Sequence, residues 1–171
     1  EVLHNVGRGG GVPLASVQLL APVLRPGKVF AIGLNYADHI AESNMATPEH
    51  QVWFTKAVTS INGPYAPVLV GRTGPFVDYE IELVAIIGRP AKHVSREHAH
   101  EYVFGYCVGN DVTERLWQHQ TPQWSLGKSF DTHAPIGPWI TTADEIPDPH
   151  ALDLRCFVNG EQRQSSNTRH L

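Results

Sequence analysis

The sequence predicts a β-rich globular domain of many short strands and turns, with few short helices. Glycine and proline are plentiful, 15 and 13 of 171 residues, and they punctuate the chain at close intervals. Between them, apolar residues recur in short runs, several with a period of two. A hydrophobic content of 42% with 18% charged residues suits a soluble fold, and the length suffices for one domain with a real core. The formal charge of −4 and the lack of a basic run argue against nucleic acid as a partner. No apolar stretch approaches the roughly 18–20 residues of a membrane span, and no basic region with an apolar core opens the chain. Cys107 and Cys156 stand apart in apolar surroundings and read as reduced core thiols, so the expected compartment is cytoplasmic.

Residues 1–26 are weakly patterned and read as an N-terminal extension, with a short strand at Val17–Leu20. Gly7 to Gly11 make a flexible turn, not a phosphate cradle, because no strand precedes them. Lys28 to Gly33 form a buried strand that leads into a short helix capped by Asn35. On that helix His39 and Glu42, three apart, share a face. A carboxylate beside an imidazole raises its pKa and orients it, which suits a general base; a surface pair has the same spacing. Residues 43–50 read as a loop able to bring this pair over a site. Val52 to Lys56 are a strand ending in a lysine that suits an anionic substrate or a plain strand end. Pro67 to Val70 predict another short strand.

Val77 to Gly88 alternate with period two. Val77, Tyr79, Ile81, Leu83, Ala85 and Ile87 share one face; Asp78, Glu80 and Glu82 open the other, which becomes apolar at Val84 and Ile86. Alternate residues lie about 6.5–7 Å apart, so these carboxylates repel and resist ionisation unless something neutralises them. A hard divalent cation does so through oxygen ligands. A wet edge strand carrying acids against unwanted pairing reads equally well here.

Ser95 caps a helix over Arg96–Tyr102, and His93, His98 and His100 read as surface residues because they do not converge. Val103 to Gly109 form a buried strand that delivers Asn110-Asp111. Val112 to Gln118 predict a helix, for which Asp111 and Glu114 make a capping-box pattern. Arg115 and Gln118 share a face of it, available to a substrate carboxylate or to solvent. Ser125 to Asp131 are polar, with Lys128 projecting into a cleft or pairing with Asp131. Strands follow over Pro135–Thr142 and Leu152–Val158; Asn159-Gly160 is the strongest hairpin signal, and Glu161–Ser165 returns. Ser166-Asn167-Thr168 read as a helix start close to Leu171, which suggests a chain cut short.

Five motifs in order give a resemblance. Gly33-Leu34-Asn35-Tyr36-Ala37-Asp38-His39, Val77-Asp78-Tyr79-Glu80-Ile81-Glu82-Leu83, Asn110-Asp111-Val112-Thr113, Gly127-Lys128-Ser129-Phe130-Asp131 and Val158-Asn159-Gly160-Glu161 resemble the fumarylacetoacetate hydrolase family. The resemblance is to its smaller branch of acylpyruvate hydrolases, oxaloacetate decarboxylases and homoprotocatechuate-pathway isomerase/decarboxylases. It implies a mixed β (α+β) fold with a rolled sheet and few short helices, occupying residues 27–171 and lacking a C-terminal part. It implies Glu80, Glu82 and Asp111 as ligands of Mg²⁺ or Mn²⁺, with Ca²⁺ able to substitute. It implies His39 and Glu42 as a water-activating dyad, Lys128 at the reacting centre, and Arg115 and Gln118 near the substrate, where Lys56 is a further candidate from its own position. It also implies a homodimer. Leu34 stands where some acylpyruvases carry an arginine, so that carboxylate contact is missing.

The chemistry expected from this set is cleavage of a C–C bond in a 2,4-dioxo acid. A small 2-oxo acid chelates the cation, its carbonyl is polarised, and the reaction passes through a metal-bound enolate. Water activated by His39 gives hydrolysis; loss of CO₂ gives decarboxylation; proton movement alone gives isomerisation. Hydrolysis is the favoured outcome because the dyad is present, and a non-catalytic β-module is the contrasting alternative.

Overall fold

The acid-bearing segment organises the sheet, but it is not one strand. In the computed structural model, which describes residues 11–38, 40, 46–71 and 74–171, β4 (Val77–Asp78) and β5 (Ile81–Ile87) are separated by Tyr79 and Glu80. β4 pairs antiparallel with β7 (Thr113–Glu114), whereas β5 pairs antiparallel with β6 (Val103–Asn110). The period-two pattern runs through the break because side chains keep alternating while the peptide groups change partners.

The largest sheet has the order β3-β8-β6-β5, where β3 is Ile61–Asn62 and β8 is Ala134–Thr142. Its β3–β8 pairing is parallel and the rest antiparallel. β1 (Phe30–Gly33) pairs with β2 (Val52–Thr55), and β9 (Asp153–Val158) with β10 (Glu161–Asn167). The result is the expected mixed β fold, a curled sheet with few helices. Ala21, Cys107 and Ile136 are buried together, with Val23, Ile61, Val84 and Ile86 packed against them. Both cysteines are free thiols. Among the described residues no helix is long and apolar enough to cross a membrane.

Asn159 and Gly160 both take positive φ, 52° and 84°, as a two-residue hairpin turn of matching twist requires. Asn167 accepts from the Arg169 N–H and caps a 3-10 turn at Thr168–His170, as its position suggested.

Several local expectations are corrected. The helix after Asp111 starts at Arg115: Thr113, β-branched and fully buried, pairs with Asp78 in β7. The helix α1 is Arg115–Gln118, and its cap is the Glu114 side chain on the Trp117 N–H, not Asp111. Residues 67–70 form no strand, since their polar groups go to side chains: Asn62 donates to Pro67 O and Leu69 N donates to Thr132 Oγ1. Residues 17–20 lie outside any strand and follow a 3-10 turn at Leu14–Ser16. Phe30, expected to be buried, is exposed at the start of β1 and meets Trp53 edge to face. The segment expected as a helix over residues 96–102 is a 3-10 helix, Arg96–Tyr102.

Candidate active site

Three chain crossings meet where the sheet changes partners. β6 ends by delivering Asp111, the gap between β4 and β5 presents Glu80, and Lys56 directly follows β2. The fourth contributor is α2 (Ser125–Lys128), a single turn seated on α1. Gly127 permits that seat: a Cβ there would stand 2.5 Å from Gln118 N and 2.7 Å from Glu114 O. The turn is tied to β2 through the Thr55 and Ser125 hydroxyls, 3.2 Å apart, and through Ala57 N, which donates to Ser129 Oγ at 2.9 Å.

Lys128 is thereby aimed inward. Its Nζ donates to Glu80 Oε2 and to Asp111 Oδ2, both at 2.7 Å, and lies 5.0 Å from the centre of the Phe54 ring. Its side chain is 3% exposed. The alternative pairing with Asp131 is therefore not the one adopted. Lys56 Nζ takes the other oxygen of Asp111 at 2.5 Å and also donates to Val112 O at 3.2 Å. Arg115 spans the acids from the far side. Its Nε and Nη2 donate to Asp78 Oδ2 at 3.0 and 2.7 Å, and its Nη1 reaches Glu80 Oε1 at 2.6 Å and Gln118 Oε1 at 2.9 Å.

Lys56, Lys128 and Arg115 thus face Asp78, Glu80 and Asp111, three charges against three. Glu82 is the fourth acid, and among the described residues its carboxyl has no hydrogen-bond or ion-pair partner. Burial, with the charges of Asp111 and Glu80 adding to it, pushes Glu82 up to about 8. Burial lowers the Lys56 pKa, against the attraction of Asp111. Arg115 also loses solvent, but Glu80 and Asp78 more than offset this and raise its pKa. Tyr36 is buried close enough to Glu82 for burial and that charge to push its hydroxyl pKa well up.

Of the residues singled out from sequence, Glu80, Glu82, Asp111, Lys128, Lys56, Arg115 and Gln118 share this network. His39 and Glu42 lie outside the described residues. Asp78 belongs to the network and was not picked out as a site residue, although it precedes Glu80 and Glu82 on one strand face. Tyr36 also went unassigned, inside a quoted motif.

Glu80, Glu82 and Asp111 offer oxygen ligands only, the set that hard divalent cations prefer. Glu82, buried beside two further carboxylates and without a hydrogen-bond or ion-pair partner among the described residues, gives the site a place for additional positive charge. In kind and charge these residues fit such an ion. Among the described residues they are not already gathered as a coordination sphere; the two ammonium groups hold oxygens of Glu80 and Asp111 instead.

The model for the fumarylacetoacetate (FAA) hydrolase C-terminal family matches residues 28–171. The mitochondrial oxaloacetate tautomerase of Rattus norvegicus is 45% identical over 161 residues, spanning 94% of this chain and 51% of that protein. The crystal structure of 2-hydroxyhepta-2,4-diene-1,7-dioate isomerase from Mycobacterium marinum is 41% identical with a TM-score of 0.81, covering 95% of this chain and 59% of that one. Maleylpyruvate hydrolase from Sphingobium sp. SYK-6, solved in complex with manganese (II) ion and pyruvate, is 37% identical with a TM-score of 0.79, covering 94% and 55%. The chain spans about half the length of the curated relatives it matches. By the extent of the family match and the identity of these relatives, this chain belongs to the fumarylacetoacetate hydrolase family.

Proposed function

We propose that the protein interconverts keto and enol forms of a small 2-oxo acid, with Mg²⁺ or Mn²⁺ as its cofactor. The observation that carries this reading is the Lys128 ammonium shared by Glu80 and Asp111 beside the unmatched acid Glu82. A tautomerase and an isomerase among the relatives support it. A divalent ion held by Glu80, Glu82 and Asp111 would polarise the 2-oxo group as a Lewis acid. Lys128, a buried cation, would hold negative charge developing on the substrate oxygen. Arg115 and Lys56 hold the acids, and in this reading they and Gln118, which accepts from Arg115, would face the substrate's own carboxylates. His39, oriented by Glu42, is the proton acceptor from C3. A homodimer acting on a small molecule, with neither nucleic acid nor membrane as partner, completes the proposal.

Hydrolysis of a C–C bond in a 2,4-dioxo acid is the second reading. It is favoured by the His39 and Glu42 spacing and by the maleylpyruvate hydrolase relative. There the same histidine takes its proton from water. The test follows enol absorbance as oxaloacetate equilibrates, with chelator and then with Mg²⁺ or Mn²⁺ restored, beside an acylpyruvate cleavage assay. Metal-dependent acceleration of the oxaloacetate equilibration without cleavage is the expected result. Cleavage dominating would select the second reading, and no metal-dependent turnover of either substrate would reject both.

A further inference from the structure

Glu80 lies outside both ladders that flank it, so its neighbouring peptide groups need other partners. Side chains supply three of them and a backbone amide the fourth. Asn110 Oδ1 accepts from Glu80 N at 3.0 Å, and Asp111 N donates to Glu80 O at 2.8 Å. Gln164, more than 80 residues later, makes the remaining pair: its Oε1 accepts from Ile81 N at 2.9 Å and its Nε2 donates to Tyr79 O at 3.4 Å.

Gln164 reaches Glu80 because β10 carries a bulge. Gln162 pairs with Phe157 and Gln164 with Cys156, so Arg163 is an extra residue. One extra residue changes the inward and outward parity of a strand. After it, Gln164 and Ser166 turn inward while Ser165 stays exposed. Ser166 uses the same face to donate to Asp38 Oδ2 at 2.6 Å, which ties β10 to the segment after β1.

We propose that Gln164 is a positioning residue for the acid cluster. Its carboxamide stands in for an absent strand on either side of Glu80 and so fixes where that carboxylate points. Glu80 joins Lys128 to Arg115 through its two oxygens. A backbone shift at this one residue therefore disturbs two cations and a candidate ligand together. The proposal rests on the reading of Glu80 as a metal ligand.

The test measures Mn²⁺ affinity by calorimetry and amide exchange at Ile81 in the full-length protein and in Gln164→Met. Loss of a residue that orients a ligand weakens metal binding by about 10-fold to 100-fold. The expected result is a loss in that range, with exchange at Ile81 accelerated and the amides of β6 still protected. Under substrate, kcat falls more than KM rises. Gln164→Glu, which keeps an oxygen for the Ile81 N–H, recovers part of both signals. Arg163→Ala, at the exposed bulge residue, changes neither. If the methionine variant does not fold, Gln164→Asn carries the same expectation, being a carboxamide one methylene short. Parent-like Mn²⁺ affinity in the folded variant overturns the proposal alone. No Mn²⁺ uptake by the parent overturns the metal reading and this proposal with it.

Discussion

Replacing Lys128 by methionine keeps most of the stem and removes the ammonium that Glu80 and Asp111 share. At an effective dielectric of about 20, each close pair contributes roughly 4 kcal/mol of attraction, so two pairs give roughly 8 kcal/mol before desolvation. Taking a cation out of water returns several kcal/mol of that. Removing one partner of a buried pair nonetheless costs about 3–5 kcal/mol, because both acids stay buried while Asp111 keeps only Lys56 and Glu80 only Arg115. The side chains of Lys128, Asp111 and Glu80 are 3%, 8% and 20% exposed, so solvent does little to soften this. Such a loss is a large share of the roughly 5–15 kcal/mol that holds a domain together. The assay is urea unfolding, read as a lower midpoint at unchanged slope. Repeating it with Mn²⁺ separates the causes: the ion raises the midpoint of the variant more than that of the parent, because it meets carboxylate oxygens that Lys128 no longer holds. Oxaloacetate enolisation falls by about 100-fold or more, the range for losing a preorganised donor. An unfolding free energy within about 1 kcal/mol of the parent would refute the reasoning, since Lys128 would then not be what neutralises the two acids.

Glu114→Ala strands two backbone donors, Phe76 N at 3.3 Å and Trp117 N at 2.8 Å from the lost carboxylate; it should cost about 2–4 kcal/mol in chemical denaturation, and a cost under about 0.5 kcal/mol would count against that clamp. Gly127→Ala forces a methyl against the Gln118 backbone; about 1–3 kcal/mol of stability should be lost, and Mn²⁺ affinity should fall with it as Lys128 shifts. His133 is buried with Nε2 facing Leu69 O at 3.3 Å and Nδ1 without a partner among the described residues, and burial lowers its pKa. The unfolded chain therefore takes up a proton near pH 6.5 that the native state refuses. Its contribution is fully present above about pH 6.5 and declines as pH falls toward the native value, by up to about 1.4 kcal/mol per pH unit. His133→Gln should flatten that slope, and an identical pH profile for the two proteins would exclude His133 as its source.

The acids and Lys128 were legible because each stands in a short motif at the end of a strand or turn. Glu80, Glu82, Asp111 and Lys128 could be named without knowing which strands pair. The Asn159-Gly160 turn was legible for a similar reason, since it is decided within two residues. What escaped the sequence is decided between residues far apart. The break at Tyr79 and Glu80 leaves the alternation of side chains untouched, and only the peptide groups record it. Asp111 and Glu114 have the spacing of a capping box, yet Asp111 is taken by Lys56 and Lys128 while Glu114 caps the helix alone. Lys56 in sequence is a lysine at a strand end, free to meet substrate or solvent. Its address became readable only when Asp111, 55 residues later, lay 2.5 Å from its ammonium. That pairing also revises what the cations do. Three positive groups suggest three contacts for the anionic substrate proposed above, and each is already paired with an acid of the same site. Among the described residues the one acid outside those commitments is Glu82, and burial pushes its pKa up to about 8. An added divalent cation must therefore compete with Lys128 and Lys56 for Asp111 and with Lys128 and Arg115 for Glu80, whereas at Glu82 it competes with a proton.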